Sequence, residues 1–340
     1  MSDIDDDWEN FNNDDLSKEY DFVTETNKII DKDDDFIPKC GEIYISTQTK
    51  IAHLNQPIDL NEIFWKLPII QYQDHKEGVI KSQMKVNSVN KDDVEMLEKK
   101  IKECDNLINV DIIHKVDNPN ARKTKFKDVR KINIGLCKKD LISYRTKKKG
   151  AFYNCFVIIL RLKDNDNDNI FKEYHVKIFN TGKLELPGIK NNKSLNGVLD
   201  KLIEILSPFI KDKLYIIKDN IKTVLINSNF TCNYFIDREK LSRIIKYKYN
   251  LHVLYDPCSY PGIQCKFYHN HNNSLNNGTC KCVDKCYNKK KKQLKCMEVS
   301  FMIFRTGSIL IVGKCDELTL QNVYKFIKNI LIDDYKDFII

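Results

Sequence analysis

Residues 178–188 read IFNTGKLELPG, and residues 303–313 read IFRTGSILIVG. Ile178, Phe179, Thr181, Gly182 and Gly188 recur 125 positions later as Ile303, Phe304, Thr306, Gly307 and Gly313. The same offset carries into the segments that follow, LNGVLDKLIEIL from Leu195 and LQNVYKFIKNIL from Leu320. A chain that repeats itself at a constant offset is built from two copies of one unit, and whatever it grips is expected to share that pseudo-symmetry.

Working outward, each copy predicts the same elements. EIYISTQTKIAHL (42–54) and IKTVLINSNFTCNYF (221–235) alternate and are β-branched, which predicts strands. Each leads to a short amphipathic helix with an acidic cap, Asp59 in the first copy and Asp237 in the second. NCFVIILRL (154–162) is a strand, and YHVKIFN with KLELPG forms a hairpin turning at Thr181-Gly182. A helix over 194–209 closes the copy. GIQCKF, MEVSFMIF, SILIVG and a helix over 318–332 take those roles in the second. Strand-rich units, each closed by one long helix, make an α+β fold: an antiparallel sheet with helices on one face.

The expected organisation is an acidic disordered tail at 1–38, a first repeat at 39–210 and a second at 211–340. Two insertions interrupt the copies. One, at about 85–148, holds DDVEMLEKKIKEC and ends in RTKKKG; the other, at about 268–294, is rich in Asn, Lys and Cys. Both are expected to be surface elaborations.

The net charge of +8 conceals an asymmetry. Residues 1–35 hold fourteen Asp and Glu against three Lys, a net of −11, which leaves +19 on the other 305. That basic remainder favours a polyanion, although three alanines in 340 residues point to an AT-rich genome and so to lysine from codon bias. The tail either solubilises the protein or lies across the basic part as a DNA mimic. No apolar run approaches the roughly 18–20 residues of a membrane span, and the acidic start is unlike a signal peptide. The expected location is intracellular: the nucleus or a site of viral transcription, not the secretory route. Twelve cysteines without a secretory signal argue for reduced thiols. No G-x-G-x-x-G, Walker loop, H-E-x-x-H or nucleophile elbow is present, so no enzyme is expected.

The block YDPCSYPGIQCKF (255–267) followed by VSFMIFRTGSILIVG resembles the second repeat of the TATA-box-binding protein core, and FVIILRL with IFNTGKLELPG resembles the first. The large insertions resemble divergent forms from large DNA viruses or protists. As established for that family, the resemblance implies a two-repeat saddle whose curved sheet presses on the DNA minor groove, with helices on its convex face and aromatic wedges entering base steps. The minor-groove edge of A·T pairs offers acceptors and a smooth apolar floor, so groove-facing side chains should be apolar with cations at the rim.

By that resemblance, Phe304 and Tyr260 correspond to one wedge pair and Lys266 to a phosphate-contacting Arg. The phenol hydroxyl of Tyr260 is costly to bury between bases, which would weaken kinking at that end. Met302, Leu310 and Val312 would face the groove. In the first repeat Phe179 matches a wedge, with Phe156 or Cys155 as its partner; Arg161 matches the rim Arg, and Lys183 lies beside the turn. Ser46 or Thr47 stands near one central polar position, and Leu225 or Asn227 near the other. Lys177, Glu185 and Pro187 depart from the pattern, and Glu185 would meet an anionic groove.

Cys265, His269, His271, Cys280, Cys282 and Cys286 offer more N and S donors than a tetrahedral zinc needs, so a structural zinc is the one cofactor the sequence suggests. The implied function is a transcription initiation factor that binds double-stranded AT-rich promoter DNA in the minor groove, bends it and recruits general transcription factors and RNA polymerase. The alternative is a saddle-fold protein-interaction scaffold with weak or non-specific DNA binding.

Overall fold

The computed structural model describes residues 38–142, 154–164, 167–270, 277–280 and 296–340, without the side chains of 167–169. The acidic tail and the RTKKKG run lie outside the described residues. The chain forms two compact units. One comprises Ile45–Asn227 with 313–316; the other comprises the residues up to Tyr44, Ser228–Val312 and Glu317–Ile340.

In the Ile45–Asn227 unit, β1 (Tyr44–His53) leads to α1 (Leu60–Lys66). The Asp59 carboxylate accepts from the N–H groups of Asn61 and Glu62, so the predicted cap is present. β2 (Gly78–Ser88), α2 (Lys91–Lys102), β3 (Leu107–Asp117), β4 (Phe126–Gly135) and α3 (Lys138–Ile142) follow. Next come β5 (Cys155–Asp164), β6 (Asn167–Phe179), β7 (Lys183–Ile189) and α4 (Asn192–Leu206), then the first half of β8 (Lys222–Thr231). The spatial strand order is β3-β4-β2-β5-β6-β7-β1, with β8 beyond β1.

This order corrects the first insertion. Instead of decorating the surface, residues 85–135 complete β2 and supply β3 and β4, which pair antiparallel and lengthen the sheet. LINVDIIHKVD and FKDVRKINIG are charged enough to read as loop. Yet Val129, Ile132 and Ile134 are buried in the sheet, and α2 covers it.

The core lies between the sheet and α1 with α4. Leu195, Val198, Leu199, Leu202 and Leu206 form the buried stripe of α4, each worth roughly 1.5–3 kcal/mol of burial. They meet Phe156, Ile158, Leu160, Ile178, Leu184 and Leu186 in one apolar cluster.

The other unit takes the end of β8, then α5 (Arg238–Tyr247), β9 (His252–Leu254), β10 (Ile263–His269), β11 (Met297–Ile303), β12 (Ser308–Gly313) and α6 (Glu317–Asp333). Its strand order is β8-β12-β11-β10-β9, the same progression as β1-β7-β6-β5-β2. Asp237 caps α5 through the N–H groups of Glu239 and Lys240. Leu320, Val323, Ile327, Ile330 and Leu331 of α6 are buried.

The repeat is visible bond by bond. The Gly182 and Gly307 N–H groups donate to the Phe179 and Phe304 carbonyls at 2.9 and 3.0 Å. Both glycines have positive φ, +80° and +78°, and a Cβ on either would strike backbone oxygen, that of Gln56 or Tyr234. The Leu54 N–H reaches the Gly182 carbonyl at 2.8 Å, as Cys232 reaches Gly307 at 2.9 Å. Ile58 reaches Asn180 at 3.0 Å, as Ile236 reaches Arg305 at 2.9 Å. The fold class is α+β.

Candidate nucleic-acid interface

Each IFxTG hairpin holds its phenylalanine at the strand end, next to the turn. Phe304 keeps the hairpin register through its N–H to the Ser308 carbonyl, at 3.0 Å. Its ring is half-buried and lies 6.0 Å from that of Tyr260, tilted by 57°. Gly262 sits under both: a Cβ there would come 2.9 Å from Tyr260 Cε1 and 3.1 Å from Phe304 Cε1. The turn before Tyr260 is fixed by its N–H to the Asp256 carbonyl at 3.0 Å, and Arg238 of α5 donates to the Pro261 carbonyl. The predicted pair is therefore brought together and left partly open.

In the other unit Phe179 is also half-buried, and the Lys183 ammonium stands 5.0 Å from its ring centre. Its expected aromatic partner is not there. Phe156 has 0% exposure and packs edge-on against Phe64 of α1 at 6.1 Å. Cys155, which pairs with Phe179, is buried as well, its thiol pushed up to about 11 by that burial, against the lowering effect of the Lys177 charge. The register explains the error. Ile263 pairs with Ile303 as Phe156 pairs with Ile178, so Tyr260 corresponds to Tyr153, which lies outside the described residues.

The same register corrects Arg161. Lys266 opposite Ser300 corresponds to Ile159 opposite His175, two residues short of Arg161. The guanidinium of Arg161 turns inward and donates to the carbonyls of Tyr72 at 2.7 Å, Lys76 at 3.0 Å and Asp74. The rings of Tyr72 and Phe171 flank it at 5.9 and 5.3 Å. It staples the 72–76 loop rather than lining a rim. Lys266 is partly exposed but engaged, its ammonium 2.7 Å from Glu298.

Met302, Leu310 and Val312 are also corrected. Met302 and Val312 are each 1% exposed and Leu310 is buried, so these side chains offer no open apolar surface. Phe301, Ile303, Ile309 and Ile311, expected on the other face, are buried too, and strand period by itself does not say which face is covered.

Two polar arrangements were not foreseen. The first is in the Ile45–Asn227 unit, where Lys177 donates to Glu185 across β6 and β7 at 2.7 Å, on the sheet face opposite the core. Their side chains are only 7% and 12% exposed. The second joins the central residues singled out above: the Asn227 amide donates to the Thr47 hydroxyl at 3.0 Å, and Ser46 Oγ donates to the Asn227 carbonyl at 3.1 Å.

Among the described residues the expected metal donors do not converge. Cys265 and His269 lie on the buried face of β10; burial pushes the Cys265 thiol up, and His269 lies 3.3 Å from the Asn322 amide of α6. Cys280 is exposed. His271, Cys282 and Cys286 lie outside the described residues, and among the described residues no three His, Cys, Asp or Glu side chains form a metal-binding group.

No family model matches the chain. Among solved structures it is similar to the TBP of Methanococcus jannaschii, 13% identical with a TM-score of 0.39, covering 85% of this chain and 98% of that one. It is 29% identical over 211 residues to an Acanthamoeba polyphaga mimivirus protein named TATA-box-binding protein-like, covering 58% of this chain. The match covers 53% of that protein, so the chain spans about half the length of the curated relative it matches. The chain is a homologue of this viral TATA-box-binding protein-like protein.

Proposed function

We propose that the chain acts as a TATA-binding-protein-like transcription initiation factor. It binds AT-rich promoter DNA through the minor groove, bends it, and offers its helices to partner factors and RNA polymerase at an intracellular, viral site of transcription. One observation carries this reading: Phe304 and Tyr260 meet at a strand end, half-open, above a glycine that leaves room for both rings. Aromatic rings held at a sheet end suit partial insertion between base steps, where apolar side chains unstack the duplex. Phe179 and Lys183 hold the matching place in the other hairpin, pairing a ring with a cation suited to phosphate.

The Lys177–Glu185 pair favours a second reading, a protein-binding scaffold. A carboxylate on the sheet face opposite the core repels an anionic groove, and its near-burial against Lys177 gives it a structural reason to be there. Gel shifts of AT-rich against GC-rich duplexes, with circular permutation to report bending, separate the two. Preference for AT-rich DNA with a bend supports the initiation factor. Indifference to sequence without a bend replaces it with the scaffold.

A further inference from the structure

The sulfurs of Cys280 and Cys296 lie 3.9 Å apart, although sixteen residues separate them in sequence. Both are positioned by the surrounding fold. Cys296 is buried immediately before β11, next to Met297, which pairs with His269 of β10. Cys280 ends a stretch that is tied to β10 by the Tyr268 N–H, which donates to the Gly278 carbonyl at 2.9 Å. Gly278 has φ of +82° and presses so closely on Leu251 and Phe267 that a Cβ would lie 2.7 Å from each. The Asn270 amide donates to the Cys296 sulfur at 3.7 Å.

We propose that Cys280 and Cys296 supply two corners of a tetrahedral site for zinc. Zn–S bonds of about 2.3 Å at the tetrahedral angle set two sulfurs roughly 3.8 Å apart, close to the spacing found. An N–H donor aimed at the sulfur is the outer support that a thiolate ligand uses. On binding, each thiol releases its proton to solvent as its Zn–S bond forms, and no electron is transferred. Two corners remain for other donors. This site differs from the one expected from the sequence: Cys265 and His269 belong to the core, and Cys296 had not been counted. The ion would tie the middle of the Cys-rich insertion to the start of β11, the strand that leads to Phe304.

The full chain, kept reduced and stripped of metal, is titrated with cobalt(II) and then zinc(II). A thiolate-to-cobalt charge-transfer band saturating at about one metal per chain, bleached by zinc, is expected. Cys280→Ser and Cys296→Ser should each weaken binding by about tenfold or more, while Cys258→Ser, at an exposed thiol elsewhere, leaves the titration unchanged. The buried Cys296 variant is checked for folding by circular dichroism; the exposed Cys280 variant carries the test if it fails. Absence of the band, or full binding by the Cys280 variant, overturns the proposal.

Discussion

Tyr260 and Phe304 stand 6.0 Å apart over Gly262, and the glycine is what lets them meet. Gly262→Ala puts a methyl into both rings, an overpacking that costs about 1–3 kcal/mol if the rings stay. Being half-buried, they can swing away instead. The expected outcome is a thermal midpoint close to that of the unaltered chain with weaker binding of AT-rich duplex, read by fluorescence anisotropy. Phe304→Ala should weaken binding similarly, by about tenfold, given roughly 1–3 kcal/mol for a base–aromatic contact. Unchanged affinity in both variants removes these rings from the interface.

Lys177 and Glu185 test what the sheet face opposite the core is built for. Removing only the cation, in Lys177→Met, strands a nearly buried carboxylate and should cost about 3–5 kcal/mol in urea unfolding. Replacing both, with Lys177→Met and Glu185→Leu, should restore most of that loss. If the double variant also binds AT-rich DNA more tightly, Glu185 was the element opposing the groove. A double variant as unstable as the single one would show that the pair is not a coupled unit.

Arg161 distinguishes a staple from a phosphate contact. Arg161→Ala removes charge-assisted bonds to three carbonyls and should destabilise the protein by roughly 3 kcal/mol. The slope of log affinity against log salt should not change. A phosphate-contacting arginine would instead lower that slope by about 1 on removal, an outcome that would falsify the inward assignment.

Asp140 gives a pH dependence. Burial by itself would raise its pKa. The Lys81 ammonium at 2.6 Å, the Cys137 thiol at 3.0 Å and the Cys137 N–H at 2.9 Å outweigh burial and hold the carboxyl below its ordinary range. A depressed carboxylate stabilises the fold above its unfolded pKa of about 3.9, and that contribution is lost as pH falls through the folded value. Asp140→Asn should therefore lower stability at neutral pH and flatten the decline below about pH 4. Parallel curves for the two proteins would contradict this.

Periodicity and repetition made much of the fold legible. The 125-residue offset located both hairpins, and Asp59 and Asp237 marked both short helices as sterics and capping require. The insertion misled because β3 and β4 sit at the end of a sheet, where one strand has a single neighbour and charges can reach water, so alternation is diluted. Phe156 and Arg161 were misplaced for a related reason. The sequence before β5 carries no repeat to fix its register, so Phe156 was set three residues, and Arg161 two residues, beyond the positions that match Tyr260 and Lys266.

By itself, then, the order of residues determined the duplication, the α+β class, the caps and the glycine turns, because each depends on local spacing and backbone sterics. Only the tertiary structure decided that Phe156 faces helices, that Arg161 holds a loop and that Lys177 neutralises Glu185. It alone brought Cys296 beside Cys280. Those outcomes depend on which strands become neighbours and what covers each face, and these are settled by packing between segments far apart in the chain.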